Sequence, residues 1–81
     1  MATVQLWGAL RSAANGEMSV DIEASNIREL MRKLEERYPH MTPFIKDGIA
    51  VSINGTIYQD TWSQPIPNNA EIYLLPRIQG G

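Results

Sequence analysis

The chain has 81 residues, 43% of them hydrophobic, a formal charge of −2, one histidine and no cysteine. That length makes one domain near the lower limit for folding without staples, and the missing thiols exclude disulfides, thiolate zinc sites and cysteine-held iron–sulfur clusters. A weakly negative chain with scattered lysines and arginines offers no footprint for a phosphate backbone, and no apolar run reaches the length of a membrane span.

Met1 is followed at once by a polar-alternating stretch, without the basic and apolar regions of a signal peptide. A cytoplasmic domain without metal or tightly held cofactor is therefore expected. Residues 3–11, TVQLWGALR, alternate around Val4, Leu6 and Leu10 and predict a first strand, with Thr3, Gln5, Trp7, Ala9 and Arg11 on its other face. Asn15-Gly16 supplies turn chemistry, because both residues tolerate positive φ. Residues 17–23, EMSVDIE, then alternate with Met18, Val20 and Ile22 inward, so the two runs predict a hairpin.

The clearest element comes next. Asn26 caps a helix and Glu29 completes a capping box. Ile27, Leu30, Met31, Leu34 and Tyr38 follow helical spacing as one apolar stripe, while Glu29 and Lys33 form an i,i+4 pair on the wet side. Pro39 ends the helix, since the residue before a proline is pushed out of the helical region. Residues 39–49, with two prolines and an Asp47-Gly48 turn, read as a loop with Phe44 and Ile45 tucked beneath it.

Asn54-Gly55 sits between two short alternating runs and is the strongest local hairpin signal. SQPIPNN, residues 63–69, is loop by composition. AEIYLLP, residues 70–76, gives the last strand, with Ile72 and Leu74 on one face and Glu71, Tyr73 and Leu75 on the other. The order is strand, strand, helix, strand, strand, strand. About a dozen inward residues support one modest core under one helix, and an α+β sheet carrying a helix on one face follows.

Catalytic signatures are missing: no G-x-S-x-G elbow, P-loop, H-E-x-x-H or G-x-G-x-x-G occurs. His40 reads as a surface histidine in a proline-bounded loop. Glu35 and Glu36 are adjacent on the helix and point about 100° apart, so they cannot face each other as an acid/base pair. Asp21, Glu23 and Asp60 are isolated carboxylates near strand ends. No active site within the fold is expected.

Attention turns to the outer sheet face and the end of the chain. Trp7, Tyr73 and Leu75, with Ile57 as a neighbour, would make an apolar docking surface on the face the helix leaves uncovered. A one-residue slip in parity would reverse that assignment. After Pro76 come Arg77, Ile78, Gln79, Gly80 and Gly81. Two terminal glycines arise by chance in roughly 0.5% of chains, and a frayed end is the plain alternative. Residues 77–81 could extend roughly 17 Å beyond a body formed by residues 1–76, at about 3.4 Å per residue. Glycines without Cβ atoms could thread a narrow channel and leave the terminal carboxyl uncrowded. Such a carboxylate must be activated, for example as an acyl-adenylate, before transfer.

LWGALR in the first strand, ING after the helix, AEIYLLP as last strand and the terminal GG together resemble the ubiquitin-like sulfur carriers. The small subunit of molybdopterin synthase is nearest, and the thiamine sulfur carrier is a relative. The resemblance implies the β-grasp fold, a mixed sheet gripping one helix. It implies that a ubiquitin-activating-type enzyme uses ATP and Mg²⁺ to adenylate the carboxyl of Gly81, which a sulfur donor then converts to a thiocarboxylate. The tail would enter the molybdopterin synthase large subunit, or an equivalent acceptor, and give up its sulfur.

On this likeness Gly80 and Gly81 carry the chemistry. Trp7 stands at an aromatic docking position, Leu75 and Ile57 at apolar interface positions, and Tyr73, Arg77, Ile78 and Gln79 are expected beside them. The molybdopterin branch usually has a second proline and a small residue where this chain has Arg77 and Gln79. A tungsten-pterin route, thiamine synthesis, and a protein modifier joined to target lysines through Gly81 are alternatives. An interaction module whose glycines carry no chemistry is the alternative of another class.

Overall fold

The computed structural model describes residues 1–6, 8–59 and 61–76. Trp7, Asp60 and the Arg77–Gly81 segment named above lie outside the described residues. Five strands form one sheet: β1 (Ala2–Gln5), β2 (Ser19–Ile22), β3 (Ile49–Ile53), β4 (Thr56–Tyr58) and β5 (Glu71–Pro76). Their spatial order is β2-β1-β5-β3-β4. β1 runs parallel to β5, and the other three pairings are antiparallel. Three helices, α1 (Ala9–Ala13), α2 (Ile27–Arg37) and α3 (Thr42–Asp47), complete the α+β architecture expected of a β-grasp.

Strand parity decides which face is dry. Ala2, Val4, Val20, Ile22, Val51, Ile53, Ile72 and Leu74 join the helical residues in one core cluster. Leu10, Leu30, Leu34, Met41, Ile72 and Leu74 are fully buried, and each contributes about 2 kcal/mol of transfer free energy. α2 forms where its spacing requires. The Asn26 Oδ1 accepts the Glu29 N–H at 2.8 Å, and the Glu29 carboxylate in turn accepts the Ser25 N–H at 2.8 Å. Its buried side chains Ile27, Leu30, Met31 and Leu34 repeat every three or four residues. The helix ends at Arg37, just ahead of Pro39.

Three expectations need correction. The first strand does not reach residue 11: it stops at Gln5, and Ala9–Ala13 is helical. Gly8 makes the break, with φ 60° and ψ −136°, a conformation open to glycine alone. Leu10 still reaches the core, but from a helix, with Ala13 and Ala14 at i+3 and i+4. Residues 39–49 are not a loop. Pro39–Met41 is a 3₁₀ turn, and α3 follows directly with Pro43 in its first turn. A proline lacks an N–H that a first turn would leave unpaired anyway, so both prolines start helices here. Met18 is not inward: it precedes β2 and is 66% exposed, while its carbonyl still accepts the Leu6 N–H at 2.8 Å.

The other local readings agree with the structure. Asn15 and Gly16 both take positive φ. Asn54 (φ 49°) and Gly55 (φ 93°) make the two-residue turn between β3 and β4. Asn54 does more than turn. Its side chain accepts the Glu71 N–H at 2.9 Å and its own N–H donates to the Glu71 carbonyl at 3.0 Å. The hairpin thereby clasps the start of β5. Among the described residues, no helix is long and apolar enough to cross a membrane.

Candidate functional site

The helical layer packs on one face of the sheet, and the opposite face carries the odd-numbered residues of β1, β2 and β5. Register sorts that outer face into rows. Asp21, Thr3 and Glu71 stand side by side on β2, β1 and β5. The next row runs Ser19, Gln5, Tyr73, Ser52 and Ile57 across all five strands. Leu75 and Ala50 pair in the row after that. Tyr73 is 40% exposed and Ile57 61% exposed, two large apolar side chains standing out from the sheet.

The middle of this face is low. β3 contributes only Ala50 and Ser52, both buried beneath their larger neighbours. Tyr73 and Ile57, each paired with Ser52, therefore flank a shallow trough about 10 Å across, two strand spacings wide. Half-buried Leu75 extends the Tyr73 side about 7 Å further along β5. Thus Tyr73, Ile57 and Leu75 share the uncovered face, as their parity indicates. Trp7, Arg77, Ile78, Gln79, Gly80 and Gly81 fall outside the described residues.

Polar groups on this face are arranged by the same register. Thr3 Oγ1 donates to Asp21 Oδ1 at 2.8 Å, holding that carboxylate across the β1–β2 pair. Glu71 precedes Tyr73 by two residues on β5, and its negative charge raises the pKa of the Tyr73 phenol above the usual 10.0. Sequence reasoning named neither the Thr3–Asp21 contact nor the buried Ala50 and Ser52. The signal for the trough was present, since small residues alternate with large ones along β3. The contact across strands needed register.

The remaining candidates do not form a site. Glu36 pairs with Arg32 at 3.3 Å and Glu29 with Lys33 at 3.8 Å along α2, the first pair well exposed. His40 is exposed on the 3₁₀ turn. Among the described residues there is no group of three or more His, Asp or Glu able to hold a metal ion. An apolar recess between α2, α3 and the β3–β4 hairpin, bounded by Ile27, Met31, Ile45, Tyr58 and Trp62, encloses about 10 Å³. That is at the lower edge of what one water needs.

The chain's relatives match this architecture. A chain of the Amycolatopsis orientalis BexX/CysO complex superposes with a TM-score of 0.82 at 21% identity, covering 100% of each chain. Small archaeal modifier protein 1 (SAMP1) from Methanosarcina acetivorans gives 0.82 at 23% identity, over 99% of this chain and 95% of its own. A chain from the complex of subunits 1 and 2 of the Helicobacter pylori molybdopterin-converting factor gives 0.70 at 24% identity, over 99% and 97%. At such identities the likeness is one of fold. No curated protein matches the sequence. The ThiS family model matches residues 4–81. Because that match takes in all but the first three residues, this protein belongs to the ThiS family of ubiquitin-like sulfur carriers.

Proposed function

We propose that this chain is a cytoplasmic sulfur carrier whose Gly81 carboxyl is the reacting group. The observation that carries the reading is the family match, which runs through residue 81 and so includes Gly80 and Gly81. A carboxylate oxygen of Gly81 attacks the α-phosphorus of ATP on a ubiquitin-activating-type enzyme, with Mg²⁺ held by that enzyme, and pyrophosphate leaves. Hydrosulfide from the sulfur donor then attacks the acyl carbon, AMP leaves with the bonding pair, and loss of the S–H proton gives the Gly81 thiocarboxylate. This chain supplies the acyl group and a recognisable handle, and its partners supply the catalytic groups.

In this reading residues 1–76 form the handle and residues 77–81 the arm. Trp7, Tyr73, Leu75 and Ile57 meet the partner's body, while Arg77, Ile78 and Gln79 line its entry channel. The acceptor we favour is the large subunit of a molybdopterin synthase, where the sulfur passes to a pterin precursor in molybdenum or tungsten cofactor synthesis. The likeness to the H. pylori converting-factor chain supports that choice. The likeness to SAMP1 favours a second reading, a modifier joined to target lysines through Gly81.

Mass spectrometry after incubation with the adenylating enzyme, ATP, Mg²⁺ and a sulfur source tests both. Exchange of one terminal oxygen for sulfur is the expected result. Isopeptide adducts on other proteins would establish the modifier instead. An unchanged mass would leave the chain an interaction module without acyl chemistry.

A further inference from the structure

An activated acyl group reacts with any free amine it can reach, and this chain has few. Five of its seven cationic side chains are arginines, which stay protonated and take no acyl group under these conditions. Lys33, Lys46 and the Met1 amino group remain as acceptors. They stand at different distances from Pro76, where the Arg77–Gly81 arm begins.

Sheet register gives those distances. Asp21, Thr3 and Glu71 share one row. Pro76 lies five residues beyond Glu71 along the sheet, while Met1 and Glu23 lie two residues beyond Thr3 and Asp21 in the opposite direction. At about 3.3 Å per residue and about 4.8 Å between strands, Met1 is roughly 24 Å from Pro76 and Glu23 roughly 25 Å. Lys33 Nζ donates to that Glu23 carbonyl and sits 3.8 Å from the Glu29 carboxylate. An arm of five residues spans roughly 17 Å, which falls short of both amines.

Lys46 is placed otherwise. It is exposed in the last turn of α3, three residues before Ile49, and Ile49 is the partner of Pro76 across the β3–β5 pair. Three Cα steps and one antiparallel pairing put its Cα no more than about 17 Å from Pro76. The chain doubles back in between, where the Gly48 N–H returns to the Ile45 carbonyl at 3.2 Å, so the true span is shorter. The lysine side chain adds about 6 Å of its own. Arm and side chain can therefore meet with slack. Among the described residues Lys46 makes no ion pair.

Resting on the carrier reading above, we propose that Lys46 is an internal acceptor for the activated Gly81 acyl group. When the acyl-adenylate leaves the activating enzyme before sulfur arrives, the neutral Lys46 amine attacks the Gly81 carbonyl carbon. The C–O bond to the phosphate breaks, AMP leaves with the bonding pair, and the nitrogen gives its surplus proton to water. The product is an isopeptide ring closed between Lys46 and Gly81. A short arm that spans its target gives an effective concentration of about a millimolar, and one that cannot span it gives essentially none. Against an external amine at about 1 µM, Lys46 thus has an advantage of about a thousandfold. A stray acyl group is quenched on the chain that carried it, and the lysines of other proteins are spared.

The test incubates the full chain with the purified adenylating enzyme, ATP and Mg²⁺, with and without a sulfur source. Intact mass and digested peptides are read. Without sulfur, a monomer lighter by one water should accumulate, with a Lys46–Gly81 linked peptide and a yield per activated chain that does not change on dilution. Supplying sulfur should divert the chain to the thiocarboxylate. Lys46→Arg keeps the positive charge at the end of α3 and should abolish the ring, whereas Lys33→Arg should form it as the wild type does. Thermal melts confirm that both variants fold. Links at Lys33 or Met1, or a product of twice the mass that disappears on dilution, would overturn the assignment of Lys46. Normal sulfur loading with no ring in the sulfur-free reaction would overturn it too, and would leave the carrier reading standing. A chain that acquires neither sulfur nor a ring would refute the carrier reading itself.

Discussion

The backbone carbonyl of Trp62 accepts the N–H of Arg28 at 2.9 Å, so the loop that follows β4 closes the N-terminus of α2. The Gln64 carbonyl accepts the Ile27 N–H at 3.1 Å beside it, and the Ile66 N–H returns to the Ser25 carbonyl at 2.9 Å. With Asn26 taking the Glu29 N–H, the first three amides of the helix all have partners. A helix ordinarily leaves these donors to side chains or water. Here a distant loop provides two of the three.

This shared closure makes Asn26 a modest contributor. Asn26→Ala should cost about 1 kcal/mol in urea unfolding, with faster hydrogen exchange at Glu29 than at Ile27 or Arg28. Equal acceleration at all three amides would mean that the loop does not cap independently.

Neighbouring residues on β5 should respond oppositely to truncation. Ile72 is fully buried, and Ile72→Ala should cost about 3 kcal/mol. Tyr73→Ala removes a side chain from the uncovered face and should cost less than about 1 kcal/mol. It should weaken partner binding instead. Chemical denaturation and a binding assay on the two variants check both halves.

Tyr73 offers a pH test. Its phenol is held above the usual 10.0 by the charge of Glu71. The fold therefore favours the protonated phenol more than the unfolded chain does. That contribution is complete below the unfolded value and is lost as pH rises through the higher folded value. NMR titration should find the Tyr73 midpoint lowered by Glu71→Gln. An unmoved midpoint would show that the two side chains do not interact.

In the docking reading Trp7→Glu should weaken partner binding with little loss of melting temperature, because no core contact is removed. A variant that unfolds would show that Trp7 belongs to the core. Deleting Gly81 should abolish sulfur loading while leaving the melt unchanged, and sulfur loading that survived the deletion would refute the role of that carboxyl.

Elements whose signals are local were legible from the residues alone. α2 carries its cap, its stripe and its proline stop within thirteen positions, residues 27–39 with Asn26 just ahead. Asn54-Gly55 specifies its turn through φ values that few other residue pairs tolerate. Alternation along β5 assigned Tyr73 and Leu75 to one face and Ile72 and Leu74 to the other, because a strand has period two. Leu6 and Leu10 defeated the same logic: their spacing of four fits the end of a strand and the start of a helix equally, and only the Gly8 backbone decides between them.

Tertiary structure alone decided what is adjacent. The parallel pairing of β1 with β5 joins residues about seventy positions apart, and no local pattern encodes such a pairing. It sets Thr3 beside Glu71 and Gln5 beside Tyr73, bringing Asp21 and Glu71 into one row and Tyr73 and Ile57 into the next. Periodicity chooses a face for each residue; hydrogen-bond register between strands chooses its neighbours.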